Sequence, residues 1–394
     1  MQDTSELDNG IRVARQLQSG LFDTLKREYV GKDEVIDSLG ICLVAGENLF
    51  LLGPPGTAES AIVRSLTSWL DGRVFDYLLT RFTEPSELFG PFDIRKLRDG
   101  ELLTNTDGML PEADVIFFDE LLNANSAILN SLLMALNEKV FRCGRETRKL
   151  GFVLTVGASN RLPEDESLAA LFDRFLLRVR SENVPSEMLT SVLEAGWKLQ
   201  QAESREQMDS ATVSIAELRM LQICIPFVDV SAIRTQYVVL INRLRHAGIE
   251  ISDRRAVRLQ RLTAASAIMC GRTLVHRSDL WVLGSIWDTM EQVEVLAKIV
   301  DDAIHADSEQ TTSDVVNVHP RSAGADARNP EHLSKDLDQM ELQMSRGETN
   351  GNQISWLLDR LSLLLARVEW VQQAEPREFL KERIQKMLQR AKHE

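Results

Sequence analysis

Between residues 5 and 47 apolar positions recur every three to four residues among charged ones, with a break at Tyr29-Val30-Gly31, and this spacing predicts helices on either side of the break. The pattern then changes. Asn48-Leu49-Phe50-Leu51-Leu52 is a short, continuous apolar run that stops at Gly53-Pro54-Pro55-Gly56, which predicts a buried strand entering a tight loop. Helical spacing resumes over 60–70. Similar apolar runs at 74–79, 115–118, 152–157 and 175–179 alternate with helical stretches, and that alternation predicts a parallel sheet covered on both faces. From 186 to about 304 the spacing is helical throughout. Residues 305–335 are polar and dotted with Pro, Gly, Ala and Ser, the composition of a flexible linker. Beyond them Ile354, Leu357, Leu358, Leu361, Leu365 and Val368 form one apolar stripe, and a second helical segment follows from 377 to 392. Pro376 between the two predicts an antiparallel helical hairpin. The expected units are therefore an α/β domain at 1–185, an α-helical domain at 186–304, a linker at 305–335 and a helical hairpin at 336–394.

Composition narrows the function classes. A chain of 394 residues can build two or three compact cores, and 44% hydrophobic with 26% charged residues is ordinary for a soluble protein. No apolar run approaches the roughly 20 residues of a membrane span. The first 18 residues are polar and mixed in charge, unlike a secretory leader. Cys42, Cys143, Cys224 and Cys270 are scattered, with no C-x-x-C pair and no histidine at ligand spacing. They read as buried or incidental thiols in a reducing, cytoplasmic setting rather than as a metal site. A net charge of −14 argues against nucleic-acid binding by the surface as a whole, though not against a local basic loop.

Candidate chemistry sits at the ends of the apolar runs. Gly53-Pro54-Pro55-Gly56-Thr57-Ala58-Glu59-Ser60 has the shape of the phosphate-binding pattern G-x-x-x-x-G-K-[ST], with Glu59 in the lysine position. Such a loop offers backbone N–H groups and a helix N-terminus to phosphate oxygens, and the Ser60 hydroxyl would go to Mg2+. By itself the segment also fits a plain Gly/Pro turn. Val115-Ile116-Phe117-Phe118-Asp119-Glu120 carries two carboxylates to a strand's end, Asp119 to hold the Mg2+ water shell and Glu120 to polarise an attacking water. Asn160, in Gly157-Ala158-Ser159-Asn160, ends another strand with an amide. Arg174, in Leu171-Phe172-Asp173-Arg174-Phe175, and Arg254, in Ile251-Ser252-Asp253-Arg254-Arg255, bring guanidiniums to element ends. Each of these three is an ordinary cap or surface charge when taken singly; it is their order after the loop and the carboxylate pair that gives them weight.

Taken together, the chain from about 10 to 300 resembles the MoxR family of AAA+ P-loop ATPases, and within it the RavA-like branch. Besides the segments above, the resemblance is carried by Phe82-Thr83-Glu84-Pro85-Ser86-Glu87-Leu88-Phe89-Gly90, Gly108-Met109-Leu110-Pro111-Glu112-Ala113, Leu129-Asn130-Ser131-Leu132-Leu133 and Leu136-Asn137-Glu138. It implies an α/β fold with a five-stranded parallel sheet in the order 5-1-4-3-2, an α-helical lid and, here, a C-terminal helical extension. It also implies hexameric rings with ATP or ADP and Mg2+ between subunits. Asn160 would be sensor 1, Arg174 an arginine finger acting in trans, and Arg254 the sensor 2 arginine of the lid. Residues 91–108 match the family's helix-2 insertion and 139–151 the hairpin before sensor 1, elements that face the pore or the client. The hairpin's Arg142, Arg145, Arg148 and Lys149 fit a solvated tip as well as a client contact. Family members are chaperone-like remodellers or activators of a protein client, often with a von Willebrand factor A domain partner. A DNA-translocating role has no basic groove or aromatic-basic motif to support it.

Glu59 departs from that pattern, since a carboxylate removes an attraction to phosphate and adds a repulsion. A side chain free to swing toward solvent would lessen the penalty. A natural pseudo-ATPase, an inactivating substitution, and slow hydrolysis with another cation filling in all fit the sequence. So does a non-hydrolysing scaffold subunit that binds partners through its helical regions.

Overall fold

The computed structural model describes residues 2–393 except 99–102, 144–145, 164–165, 204–212, 306–317, 324–329, 331–332, 335–336, 339, 342–360, 362–363, 366–367, 369–370 and 372–373. Its centre is a parallel sheet of β1 (Asn48–Leu52), β2 (Val74–Leu78), β3 (Val115–Asp119), β4 (Leu154–Ser159) and β5 (Phe175–Arg180). Their spatial order is β5-β1-β4-β3-β2, as expected. Leu49 of β1 lies opposite Val156 of β4 and Leu177 of β5, and Phe117 of β3 opposite Val156. Alternation along the strands sends side chains to two cores. Leu49, Leu51, Val115 and Phe117 pack with the helices Asp33–Ala45 and Glu59–Ser68, whereas Phe50, Ile116 and Phe118 pack with Ser126–Glu138 and with Phe172 and Phe175. Burial on both faces is why β1, β3 and β4 read as continuously apolar, whereas the edge strand β2 alternates between exposed and buried positions.

The helical domain is built mainly from Ile215–Cys224, Arg234–His246, Asp253–Met269, the 3-10 segment Arg277–Ser285 and Gln292–His305. Local chemistry starts two of these helices. Ser214 and Glu217 form a reciprocal capping box, and the Ser252 hydroxyl accepts from Arg255 N at 3.1 Å. This domain shares one continuous core with the sheet, and polar bonds pin it there. Gln222 donates to Leu43 O (2.7 Å) and Val153 O (3.0 Å), and Arg261 donates to Ala45 O (2.9 Å). The pattern of apolar residues did not anticipate a two-residue strand, Val213–Ser214, that pairs with Leu70–Asp71.

Within the stretch expected to be a linker, the described residues 318–323 are packed rather than free. His319 is fully buried and stacks on Trp281 with ring centroids 4.4 Å apart. Arg321 donates to Asp37 Oδ2 at 2.7 Å and lies 3.7 Å from Glu34, and Asp37 also pairs with Lys26. Burial alone would raise the Asp37 carboxyl, but Lys26, Arg321 and His319 outweigh it and hold it below the usual carboxylate range. This strap spans from the helix Asp33–Ala45 to the helical domain. Farther on, Leu361, Leu364 and Val368 pack with Leu380, Ile384 and Met387 of the helix Ala374–His393. Leu333, Leu337 and Met340 add a third helical segment to this cluster, where a two-helix hairpin was expected, and Arg383 bonds Glu341 at 2.6 Å. Ile354, Leu357 and Leu358 lie outside the described residues.

Candidate nucleotide site

The C-terminal ends of β1, β3 and β4 meet at one edge of the sheet, the place where open parallel sheets bind ligands. β1 ends in the loop 53–60. Gly53 N donates to Ser159 O at 3.1 Å, and a Cβ on Gly53 would come within 2.2 Å of Ser181 O, so only glycine fits there. Gly56 has φ +89 and nothing near where a Cβ would stand. The second glycine of the phosphate-binding pattern is replaced by Ala58, which nevertheless keeps the left-handed conformation (φ 68). The helix Glu59–Ser68 starts immediately after it, and the N–H groups of its first turn have no helical carbonyl behind them.

These parts enclose a cavity of about 290 Å3. Gly53, Pro55, Gly56, Thr57, Ala58, Glu59 and Ser60 line it from the loop, and Leu78, Asp119, Glu120, Ser159 and Asn160 from the strand ends. Pro54 stands behind the wall and accepts a bond from Thr57 Oγ1 at 3.0 Å. Asp119 Oδ1 accepts from Glu120 N at 2.9 Å. Glu120 has φ 51, a conformation costly for a side-chain-bearing residue, and its carboxylate accepts from Asn123 Nδ2 (3.3 Å) and Asn160 Nδ2 (3.4 Å). The loop, the carboxylate pair and the amide are thus brought together at one cavity. An open glycine cradle, a helix N-terminus, a hydroxyl at Ser60 and a carboxylate at Asp119 are a donor set that fits a polyphosphate with Mg2+.

Glu59 does not swing outward. Its Oε1 is shielded from solvent and points back beneath the loop, 2.8 Å from where a Gly53 Cβ would stand. Burial and the charge of Asp119 push its carboxyl up to about 7, with Thr57, Lys32 and Ser181 opposing the rise. Lys32 comes from the break after the first helices and donates to Glu182 O (2.5 Å) and Ser181 Oγ (3.2 Å). The Ser181 hydroxyl in turn donates to Thr57 O at 3.4 Å. The chain from Lys32 through Ser181 to Thr57 joins the first cavity to a second of about 310 Å3. Gly31, Lys32, Arg180, Glu182, Asn183 and, from the helical domain, Gly284, Ser285 and Trp287 are among the residues lining this second cavity. No motif announced those residues; their only sequence signal is the Tyr29-Val30-Gly31 break.

The two remaining arginines line neither cavity. Arg174 is held within its own turn, donating to Ala170 O at 3.3 Å and lying 3.3 Å from Asp173. Arg254 is exposed on the first turn of Asp253–Met269, whereas its neighbour Arg255 is buried. In the hairpin Val140–Cys143 and Glu146–Lys149, Arg148 bonds Glu112 at 3.1 Å and also donates to Thr106, while Arg142 pairs with Glu138 at 2.8 Å. Arg145 lies outside the described residues.

A glycine loop after the first strand, paired carboxylates on the third, the 5-1-4-3-2 order and a helical lid together define the AAA+ class of P-loop proteins. Residues 15–222 match the family model described as the MoxR domain in the MoxR-vWA-beta-propeller ternary systems, and residues 230–300 match an AAA lid domain. An uncharacterised protein of Methanocaldococcus jannaschii is 34% identical over 291 residues, which is 73% of this chain and 74% of the relative. A second from the same organism is 32% identical over 267 residues, 67% of this chain and 69% of the relative. A crystal structure from Cytophaga hutchinsonii, described as that of a candidate ATPase, shares the fold with a TM-score of 0.60 at 19% identity. It covers 77% of this chain and 98% of its own. The chain belongs to the MoxR family of AAA+ ATPases. Among the described residues no helix is long and apolar enough to cross a membrane.

Proposed function

We propose that this chain binds ATP or ADP with Mg2+ in the first cavity and acts as the ring-forming subunit, most simply a hexamer, of a chaperone-like MoxR machine. In that machine it remodels or activates a protein client, and Glu59 suppresses its own hydrolysis. The observation that carries the reading is the convergence of Asp119, Glu120 and Asn160 on the cavity opened by the 53–60 loop. In this reading the loop N–H groups hold phosphate oxygens, Ser60 and Asp119 hold Mg2+ and its waters, and Glu120 orients a water with Asn160 beside it. The nucleoside end extends toward the second cavity, which the lid helps to wall. In this reading Arg174 leaves its turn to act as a finger for a neighbouring subunit's nucleotide, and Arg254 answers from the lid. The family description, with its vWA component, supports a von Willebrand factor A domain protein as the partner class.

Sizing the protein with and without ATP and Mg2+ tests this directly. A ring that forms only with nucleotide is the expected result. The same ring formed without nucleotide would point to an inert scaffold subunit, and no defined ring in either condition would overturn the proposal.

A further inference from the structure

Two arginines that the nucleotide reading does not use meet at one carboxylate. Arg178, on β5, is fully buried. It donates through Nη1 to Ile286 O (3.1 Å), Trp287 O (2.7 Å) and Asp288 Oδ1, and through Nη2 to Phe172 O (3.2 Å). Its guanidinium lies over the Phe172 ring, 4.1 Å from the centroid. Arg255, buried at the start of Asp253–Met269, donates to Asp288 Oδ1 and Oδ2 (both 3.2 Å), Ile286 O (2.7 Å) and Glu250 O (2.8 Å). Gln292 fixes Asp288 from the other side, its Oε1 accepting from Asp288 N at 2.7 Å.

The position of this knot gives it meaning. Phe172, whose carbonyl and ring Arg178 holds, is two residues before Arg174. Arg255 adjoins Arg254. Trp287, whose carbonyl Arg178 also holds, lines the second cavity. Two like-charged guanidiniums share the carbonyl of Ile286 and stay together because Asp288 lies between them. Without its charge they repel in a setting where little water screens them.

We infer that Asp288 is a positioning residue whose carboxylate ties the turn carrying Arg174 to the lid helix carrying Arg254, so that the lid's angle over the nucleotide reaches the intersubunit arginine. The inference rests on the reading of Arg174 proposed above, but the coupling itself is a property of the chain without nucleotide. Asp288→Asn keeps the shape and removes the charge. Arg255→Lys keeps a charge and loses the planar fork that reaches Ile286 O and both Asp288 oxygens at once.

Hydrogen–deuterium exchange on the full chain, followed by peptide, provides the first test. Both substitutions should speed exchange about tenfold in the turn at 171–175 and at the lid helix start, while β1 and β4 stay protected. Loosening confined to 286–292 would reduce the knot to a local staple and overturn the inference. The second test uses chains that also carry Glu59→Lys. There Asp288→Asn should lower kcat about tenfold with Arg174 present and less than twofold with Arg174→Ala, with KM little changed in either case. Equal losses in the two backgrounds would show that Asp288 does not act through Arg174. If the Glu59→Lys chain shows no turnover at all, the hydrolysis reading fails, and the exchange measurement still decides the coupling. Should Asp288→Asn not fold, Arg255→Lys takes its place in both measurements.

Discussion

Replacing Glu59 by lysine isolates the charge departure of the phosphate loop from its pattern. The new ammonium would meet Lys32, which already donates to Ser181 and Glu182 beneath the loop, and like-charge repulsion would turn it toward the cavity. At about 4 Å and an effective dielectric near 20, one unit-charge pair contributes roughly 4 kcal/mol, which is the attraction now missing. With its carboxyl pushed up to about 7, Glu59 can take up a proton as phosphate arrives, so the repulsion it adds at neutral pH is limited to the cost of that protonation, roughly 0.4 kcal/mol. Solvent and counter-ions screen both contributions in an open cavity. Halving the sum leaves about 2 kcal/mol, roughly thirtyfold in affinity. Calorimetric titration of a non-hydrolysable ATP analogue with Mg2+ measures this, and phosphate release run beside it should show turnover appearing in Glu59→Lys. Glu59→Gln, which removes only that protonation cost, should tighten binding by about twofold at most. Equal affinities and comparable robust turnover in all three proteins would refute the reasoning.

Other substitutions test the frame around the site. Asp37→Asn leaves the strap's buried cations uncompensated and should cost about 3–5 kcal/mol at pH 7, read by chemical denaturation. Because Asp37 is held below its ordinary value in the folded chain, its stabilisation is complete above about pH 4 and fades in acid. The gap between the two proteins should therefore narrow as pH falls, and a gap unchanged down to about pH 3 contradicts the assignment. Gly53→Ala forces the loop away from Ser181 O and should weaken nucleotide binding at least about tenfold; unchanged affinity would mean that the loop does not hold the ligand. Leu337→Ala should destabilise the C-terminal helical cluster by about 2–5 kcal/mol while leaving nucleotide affinity unchanged. A matched loss of affinity would show that the cluster and the site unfold together.

Much of the molecule was legible from residue order alone, for physical reasons that act locally. An apolar run such as Asn48–Leu52 must be buried on both faces, so the parallel sheet followed, and a glycine loop at its end has few uses. The convergence of Asp119, Glu120 and Asn160 followed from motifs that end strands, because strand ends in a parallel sheet share an edge. What pattern and spacing left undetermined depends on residues far apart in the chain. The surroundings of the Glu59 side chain include Ser181 and Lys32, and 318–323 pack against Asp37 and Trp281. The burial of Arg255 rather than Arg254 is set by Asp288 and by the Ile286 carbonyl. A charged side chain reads as a solvated surface residue until a distant partner is known to meet it, and only the tertiary structure supplies that partner, because the balance between desolvation and pairing is struck in space rather than along the chain.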